Sequence, residues 1–308
     1  MLITIIGSGR IGSSVASNII TRNIGDILLL DIIENLPRGE ALDLSHMAAA
    51  YGVDVTVSGS NNFEDMNDSE IVVVTAGLSR KPGMTRLDLL NKNALIIADI
   101  SRKIKEYSPK SKILMVTNPL DVMTYVALKT TGFESNKVFG MSGLLDSARF
   151  RFFISKTLNV PISAIDALVI GEHGESMLPL SRYSKVNGTI LSEVASLEVV
   201  ERIIKKTRET AAEVISLKGG TVHAPAVAIG EMVESVMKDR NKTMPISTYL
   251  NGEYGINDLC IGVPAILGKN GIKEIIEIKL LDEENKIFMS GVDYLRQAID
   301  EIKRGNIL

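Results

Sequence analysis

Leu2-Ile3-Thr4-Ile5-Ile6-Gly7-Ser8-Gly9-Arg10-Ile11-Gly12 stands at the head of the chain, and its reading decides the fold. Residues 2–6 form a short apolar run of strand length, and residues 11–21 repeat apolar positions at helical spacing. Between them Gly7, Gly9 and Gly12 complete a G-x-G-x-x-G pattern. In a strand-to-helix context the three glycines allow, in order, a tight turn, close backbone approach to a pyrophosphate, and close helix–strand packing. Arg10 leads into the helix that Ile11 begins, whose free N–H groups and positive dipole end suit phosphates. No Lys-Ser or Lys-Thr follows, which excludes a P-loop. Asp31 closes the next apolar run, Ile27-Leu28-Leu29-Leu30. A carboxylate there accepts hydrogen bonds from ribose hydroxyls and repels a 2′-phosphate. Ile32 and Ile33 follow without an adjacent Arg, so the expected dinucleotide is NAD rather than NADP.

Working outward, strands are predicted over residues 27–31, 53–57, 71–77, 112–118 and 137–141, and helices over 38–49, 87–107 and 120–130. Unbroken apolar strands alternating with helices predict βαβ units in a doubly wound parallel sheet, with ligands at the carboxyl ends of the strands. The second half changes texture. It offers a strand over 167–171, helices over 197–217, 224–237 and 283–303, and Gly- and Pro-punctuated antiparallel strands over 244–278. The expected architecture is an N-terminal Rossmann domain over residues 1–142, followed by an α+β substrate domain over 143–308, with no flexible linker between them.

Composition narrows the function classes. The chain has 308 residues, room for one large or two ordinary domains. A net charge of −3 is too balanced to advertise nucleic-acid or membrane binding. One Cys excludes a disulfide framework and a Cys-rich zinc site. No basic n-region precedes the first apolar run, and no stretch approaches the ~20 apolar residues of a membrane span. A cytoplasmic protein is expected. Only three residues, His46, His173 and His223, can supply imidazole chemistry, and they show no metal-ligand spacing.

Of these, His173 sits between Gly171-Glu172 and Gly174-Glu175 after a predicted strand, where flanking glycines admit a ligand. Proton transfer to or from a hydroxyl suits an imidazole of ordinary pKa near 6.5. Asp146 and Arg149, three apart on a predicted helix, share one face. Asp146 can orient the imidazole while Arg149 grips a carboxylate in a bidentate fork; the alternative is a plain intrahelical salt bridge. The loop Ala76-Gly77-Leu78-Ser79-Arg80-Lys81-Pro82-Gly83-Met84-Thr85-Arg86 follows a buried strand and has the Gly and Pro content of a hinged lid. Asn118, ahead of Pro119, presents an amide at the same edge.

These pieces, with Ala41-Leu42-Asp43-Leu44-Ser45-His46 and Val116-Thr117-Asn118-Pro119, resemble the lactate/malate dehydrogenase family in order along the chain. The resemblance implies NAD-dependent hydride transfer to or from C2 of a 2-hydroxy acid. It makes His173 the proton acceptor and donor, Asp146 its partner, Arg149 the clamp on the C1 carboxylate and Arg86 the group polarising the carbonyl. It brings Asn118 to substrate and ribose, and Val116 and Asn93 to the cofactor. Arg80 occupies the position facing the substituent beyond C2. Lactate enzymes carry Gln there, and Arg matches a malate-type dicarboxylate; the whole pattern is most similar to the prokaryotic lactate-dehydrogenase-like malate dehydrogenases. A second carboxylate about 4 Å from a guanidinium gains roughly 4 kcal/mol at an effective dielectric of ~20, before desolvation costs. The family also implies a homodimer or homotetramer, with the helix near Ala41 at an interface. A lactate or broad 2-hydroxy-acid dehydrogenase is the alternative. From another class, a non-catalytic dinucleotide-binding protein would bind NADH without turnover. His46 and His223 read as packing, interface or pocket-edge residues, and Cys260 as a buried inert thiol.

Overall fold

The computed structural model describes residues 1–79, 84–305 and 307. Strands β1 (Leu2–Ile6), β2 (Asp26–Leu30), β3 (Val57–Ser60), β4 (Ser69–Val74), β5 (Lys112–Met115) and β6 (Val138–Gly140) alternate with helices α1 (Arg10–Thr21), α2 (Leu36–Tyr51), α3 (Arg86–Tyr107) and α4 (Leu120–Thr131). Helix α5 (Gly143–Leu158) opens the second half. Short strands β7 (Ile165–Asp166), β8 (Val169–Ile170), β9 (Leu178–Pro179), β10 (Lys185–Val186) and β11 (Thr189–Ile190) follow. Helices α6 (Leu191–Val194), α7 (Leu197–Lys218) and α8 (His223–Met237) lead to the long strands β12 (Lys242–Asn251), β13 (Asn257–Gly268) and β14 (Gly271–Ile275), and α9 (Asp282–Arg304) closes the fold.

Among the described residues, β3-β2-β1-β4-β5-β6 form a parallel array that reverses direction of winding at β1/β4, the doubly wound order. The apolar runs are unbroken because both faces are covered. Ile3, Ile5, Leu29 and Val73 pack toward α1, α2 and α8, while Ile6, Leu30, Val72 and Val74 pack toward α3, α4 and α9. The antiparallel strands expected in the second half do not make a separate sheet. They continue the first one through β12 beside β6, paired at Ser247 and Gly140, so nine strands run in one sheet across the two halves.

One strand is displaced from its expected place. The run 53–57 is not the strand; β3 starts at Val57, aligned with Ile27. Gly52, in the left-handed region at φ 66°, ends α2, and residues 53–56 carry the chain up to the sheet. The strand itself uses Gly59 because a Cβ there would stand 2.0 Å from the Pro37 carbonyl oxygen. Apolar content misled in this segment; close packing against α2 decides it. The strands expected over 71–77 and 112–118 also stop early, at Val74 and Met115, leaving their last residues free to form the rim of the cleft.

The two halves are also tied by charge. Glu234 on α8, with its side chain 7% exposed, accepts from Arg22 at the end of α1 (2.9 Å), Arg240 (2.7 Å) and Lys238 (3.1 Å). Burial raises its carboxyl pKa, but the hydrogen bonds of Lys238 and Arg22 outweigh this and hold it below the ordinary value. A depressed carboxyl stabilises the fold above its unfolded pKa and loses that contribution as pH falls through the folded pKa. Glu234→Gln is expected to cost about 1–3 kcal/mol in urea unfolding at neutral pH. The gap should close as pH falls through the lowered pKa of the folded carboxyl, where the native side chain is protonated too.

Candidate active site

The carboxyl edge of the sheet forms one half of the site. Gly7 N donates to Leu30 O (2.7 Å), while Thr75 N and Ala76 N both donate to Ile6 O (2.9 Å each), locking the ends of β1, β2 and β4 together. Gly7 needs its positive φ of 103°, and a Cβ on Gly12 would stand 1.8 Å from the Gly7 carbonyl oxygen. Gly9, by contrast, faces open space and caps α1 without a side-chain hydrogen bond, leaving the first-turn N–H groups directed toward the groove. The Asp31 carboxylate accepts from Ser8 N (2.7 Å) and Ile33 N (2.9 Å), which draws the glycine turn to the end of β2. Gly7, Gly9, Arg10, Ile11, Gly12 and Asp31 all line a groove of about 770 Å³ that also reaches Gly219, Gly220 and Thr221. A bare helix end for a pyrophosphate beside a carboxylate for a ribose fits a dinucleotide without a 2′-phosphate.

Val116 is buried after β5, and Asn118 is exposed at the rim. Asn93, buried on α3, has both ends of its amide engaged. Its Oδ1 accepts from Leu78 N (2.8 Å), and its Nδ2 donates to Leu78 O (3.2 Å) and Asn118 O (2.7 Å). The resemblance implies a cofactor contact for Asn93, and its amide also fastens two rim segments to each other. Arg80 lies outside the described residues.

The second half of the site gathers around His173. Its Nδ1 lies 2.7 Å from Asp146 Oδ2, while Arg149 Nη1 donates to Asp146 Oδ1 at 2.9 Å. The intrahelical pair of Asp146 and Arg149 forms, and the same carboxylate also meets the imidazole. Asp146 is 1% exposed and the His173 side chain 11%. Burial lowers the imidazole pKa, but the charge and hydrogen bond of Asp146 outweigh it and leave the pKa raised. Gly171 supports the loop at φ 91°, exchanging backbone hydrogen bonds with Gly262 on β13. Gly174 has no room for a Cβ beside the Glu172 carboxylate.

Arg86, the first residue of α3, is bonded to Glu175, two residues beyond His173 in the same loop. That hydrogen bond and charge raise the guanidinium pKa. Sequence reading did not anticipate this partner. It also missed Asp121, in the first turn of α4, whose Oδ2 accepts from the His173 backbone N–H at 2.8 Å. The signal was present as the one acidic residue of that helix, two positions after Pro119 and followed by the apolar Val122 and Met123. The remaining histidines stay apart from His173. His46 is exposed on α2, which excludes a packing role within this chain. His223 is exposed at the head of α8 and lines a different depression with Ser13, Asn18 and Asp43. Cys260 is buried in β13, its thiol pKa pushed up by burial. Among the described residues no helix is long and apolar enough to cross a membrane.

Comparison with known proteins finds relatives across nearly the whole chain. Residues 1–140 match the family model of the lactate/malate dehydrogenase NAD binding domain, and residues 144–305 match that of the lactate/malate dehydrogenase alpha/beta C-terminal domain. The malate dehydrogenase of Methanosarcina acetivorans is 45% identical over 98% of this chain and 97% of its own length. The crystal structure of Cryptosporidium parvum malate dehydrogenase superposes with a TM-score of 0.95 at 39% identity, covering 98% of this chain and 99% of that one. The lactate dehydrogenase of Cryptosporidium parvum, solved with lactic acid and nicotinamide adenine dinucleotide, gives 0.94 at 35% identity, covering 98% of each chain. Two consecutive domain models and full-length relatives with the same fold place the chain in the lactate/malate dehydrogenase family, NAD-dependent oxidoreductases whose cofactor-binding domain is here residues 1–140.

Proposed function

We propose that this family member is an NAD-dependent malate dehydrogenase, interconverting (S)-malate and NAD with oxaloacetate, NADH and a proton. The observation that carries the reading is the meeting of His173, Asp146 and Arg149 at 2.7 and 2.9 Å, with Arg86 bonded to the loop that bears His173. The malate dehydrogenase names of its relatives support the substrate class. A division into cofactor and substrate domains near Ser142 accords with the two family models, although one sheet spans the division.

When bound, the nicotinamide supplies or accepts the hydride. Gly7, Gly9, Arg10, Ile11 and Gly12 would hold the pyrophosphate and Asp31 the ribose, while Val116, Asn118 and the Asn93-braced rim bound the nicotinamide end. His173 takes the C2 hydroxyl proton during malate oxidation and returns it to the carbonyl oxygen during oxaloacetate reduction. Asp146 accepts from Nδ1, leaving Nε2 for that proton, and it stabilises the imidazolium. Arg149 holds the C1 carboxylate. Arg86 exchanges Glu175 for the substrate oxygen, and an exposed ion pair worth at most about 1 kcal/mol opposes that exchange only weakly. Arg80 meets the second carboxylate; pyruvate would leave its charge without a partner, which is costly in a closed site. Exposed Leu42 and Tyr51 on α2 suit association with a second copy, as homodimer or homotetramer, in the cytoplasm.

An NADH oxidation assay is expected to favour oxaloacetate over pyruvate by up to about three decades in kcat/KM, and NADH over NADPH. Arg80→Gln should collapse the oxaloacetate preference toward pyruvate. An unchanged preference after that substitution would sink the malate reading in favour of a broad 2-hydroxy-acid dehydrogenase, and NADH binding with no turnover of either acid would point to a non-catalytic protein. Gly12→Ala should abolish NADH binding in a fluorescence titration, because its Cβ would enter the Gly7 carbonyl.

The raised imidazole pKa gives a signed pH dependence. Oxaloacetate binds the protonated form, so its affinity should be full at acid pH and weaken as pH rises through the His173 titration, above the ordinary 6.5 or so. Asp146→Asn should move that decline to lower pH. Affinity that stays flat across the range in the parent enzyme contradicts the assignment of His173.

A further inference from the structure

Beneath the His173 loop, one buried carboxyl is left over from the chemistry assigned so far. Asp121 is 2% exposed. Its Oδ2 accepts the backbone N–H of His173 at 2.8 Å, and the Ser247 hydroxyl on β12 stands close enough to favour its ionised form. A carboxyl is an expensive acceptor to place here. A carbonyl or amide oxygen would accept one backbone N–H equally well, without the desolvation cost of an ionisable group.

Its surroundings explain what the acid adds. Glu172 and His173 face it from the loop, Cys260 from β13, and the Ser247 hydroxyl lies alongside from β12. Asp146 and Arg149 act on the same imidazole from α5. Burial pushes the Asp121 carboxyl up to about 7, against the His173 N–H and the Ser247 hydroxyl, which favour the ionised form. Glu172 raises it further, and an imidazolium at His173 lowers it. Protonation of the imidazole and ionisation of Asp121 therefore favour each other, and the two titrate as a coupled pair.

Building on the assignment of His173 as proton acceptor and donor, we propose that Asp121 is a positioning residue that anchors the histidine backbone and supports its imidazolium from the side opposite the cleft. Asp146 fixes the ring and Asp121 fixes the chain that carries it. Asp121 touches neither substrate nor cofactor; it acts through His173.

The test uses the full chain with NADH and oxaloacetate, comparing the parent with Asp121→Asn and Asp121→Ala across about pH 5 to 9. Asp121→Asn keeps an acceptor for the N–H but loses the charge. Its alkaline limb in kcat/KM should move about half to one pH unit lower, a threefold to tenfold loss above neutrality. At about pH 5, where Asp121 is neutral in both proteins, the two should coincide. Asp121→Ala removes the acceptor as well, and kcat should fall roughly tenfold to a hundredfold at every pH.

Thermal unfolding separates positioning from a merely structural role. Because the folded carboxyl has a raised pKa, the native state holds more protons than the unfolded one between about pH 4 and 7, and parent stability falls as pH rises through that window. Asn is exempt, so Asp121→Asn should unfold at the same or a higher temperature at about pH 8 while being slower. A limb superimposed on that of the parent, or a lowered unfolding temperature with unchanged kinetics, overturns the proposal. His173→Asn run in parallel separates the two readings. Turnover retained in His173→Asn removes both; an inactive His173→Asn beside a wild-type Asp121→Asn and Asp121→Ala removes only the role of Asp121.

Discussion

The carboxylate of Asp146 sits almost wholly out of water, between the imidazole of His173 at 2.7 Å and the guanidinium of Arg149 at 2.9 Å. Removing a carboxylate from solvent costs several kcal/mol unless hydrogen bonds and opposite charge compensate. Here each oxygen has its own partner. The arrangement also gives the two neighbours separate roles. The imidazole is oriented through Nδ1, and the guanidinium is held through Nη1. Arg149 lowers the proton affinity of His173 while Asp146 raises it, and the closer, directly bonded carboxylate prevails.

That contact exists only because distant parts of the chain are fastened beneath it. Helix α5 is locked to β8 by Val169 N donating to Ser147 Oγ at 2.9 Å, and its first residue, Gly143, lies so close that a Cβ would stand 2.2 Å from the Val169 carbonyl oxygen. The His173 loop leaves β8 through Gly171, which is bridged to Gly262 on β13. Strand β13 in turn pairs with the parallel array through β12 and the Ser247–Gly140 pair beside β6. The geometry around His173 thus rests on the second half of the chain extending the sheet of the first. A hinge between independent domains could not hold a contact of 2.7 Å as tightly.

What was legible in the sequence follows the range of the interactions. The Gly7–Gly12 turn, Asp31 and the strand–helix alternation are local patterns, readable from spacing, and they recover the doubly wound sheet. Asp146 and Arg149 are three residues apart, and helical periodicity puts them on one face. The partners that escaped are set by tertiary packing: Glu175 for Arg86, Asp121 for His173 and Asn118 for Asn93 lie 89, 52 and 25 residues away in sequence. The edge strand β3 escaped for another reason. Val57-Ser58-Gly59-Ser60 has poor strand character, and its pairing is decided by how closely Pro37 must approach. The continuity of the sheet was equally hidden, since it depends on one residue pair at the seam.

The two sides of the cleft are therefore built from different materials, with different tolerance to change. On the cofactor side the contacts are backbone to backbone. A methyl group at Gly12 collides with a carbonyl at 1.8 Å, and one at Gly7 comes within 2.7 Å of the Ala76 nitrogen, so specificity is inseparable from the fold. Asp31 belongs to this side: the carboxylate that suits a ribose also ties Ser8 to Ile33. On the substrate side the contacts are charged side chains at loop and helix ends, and the exposed Arg86–Glu175 pair is worth at most about 1 kcal/mol. One altered charge there leaves the sheet undisturbed. A family that keeps one cofactor while dividing its members between malate and lactate is what this asymmetry allows.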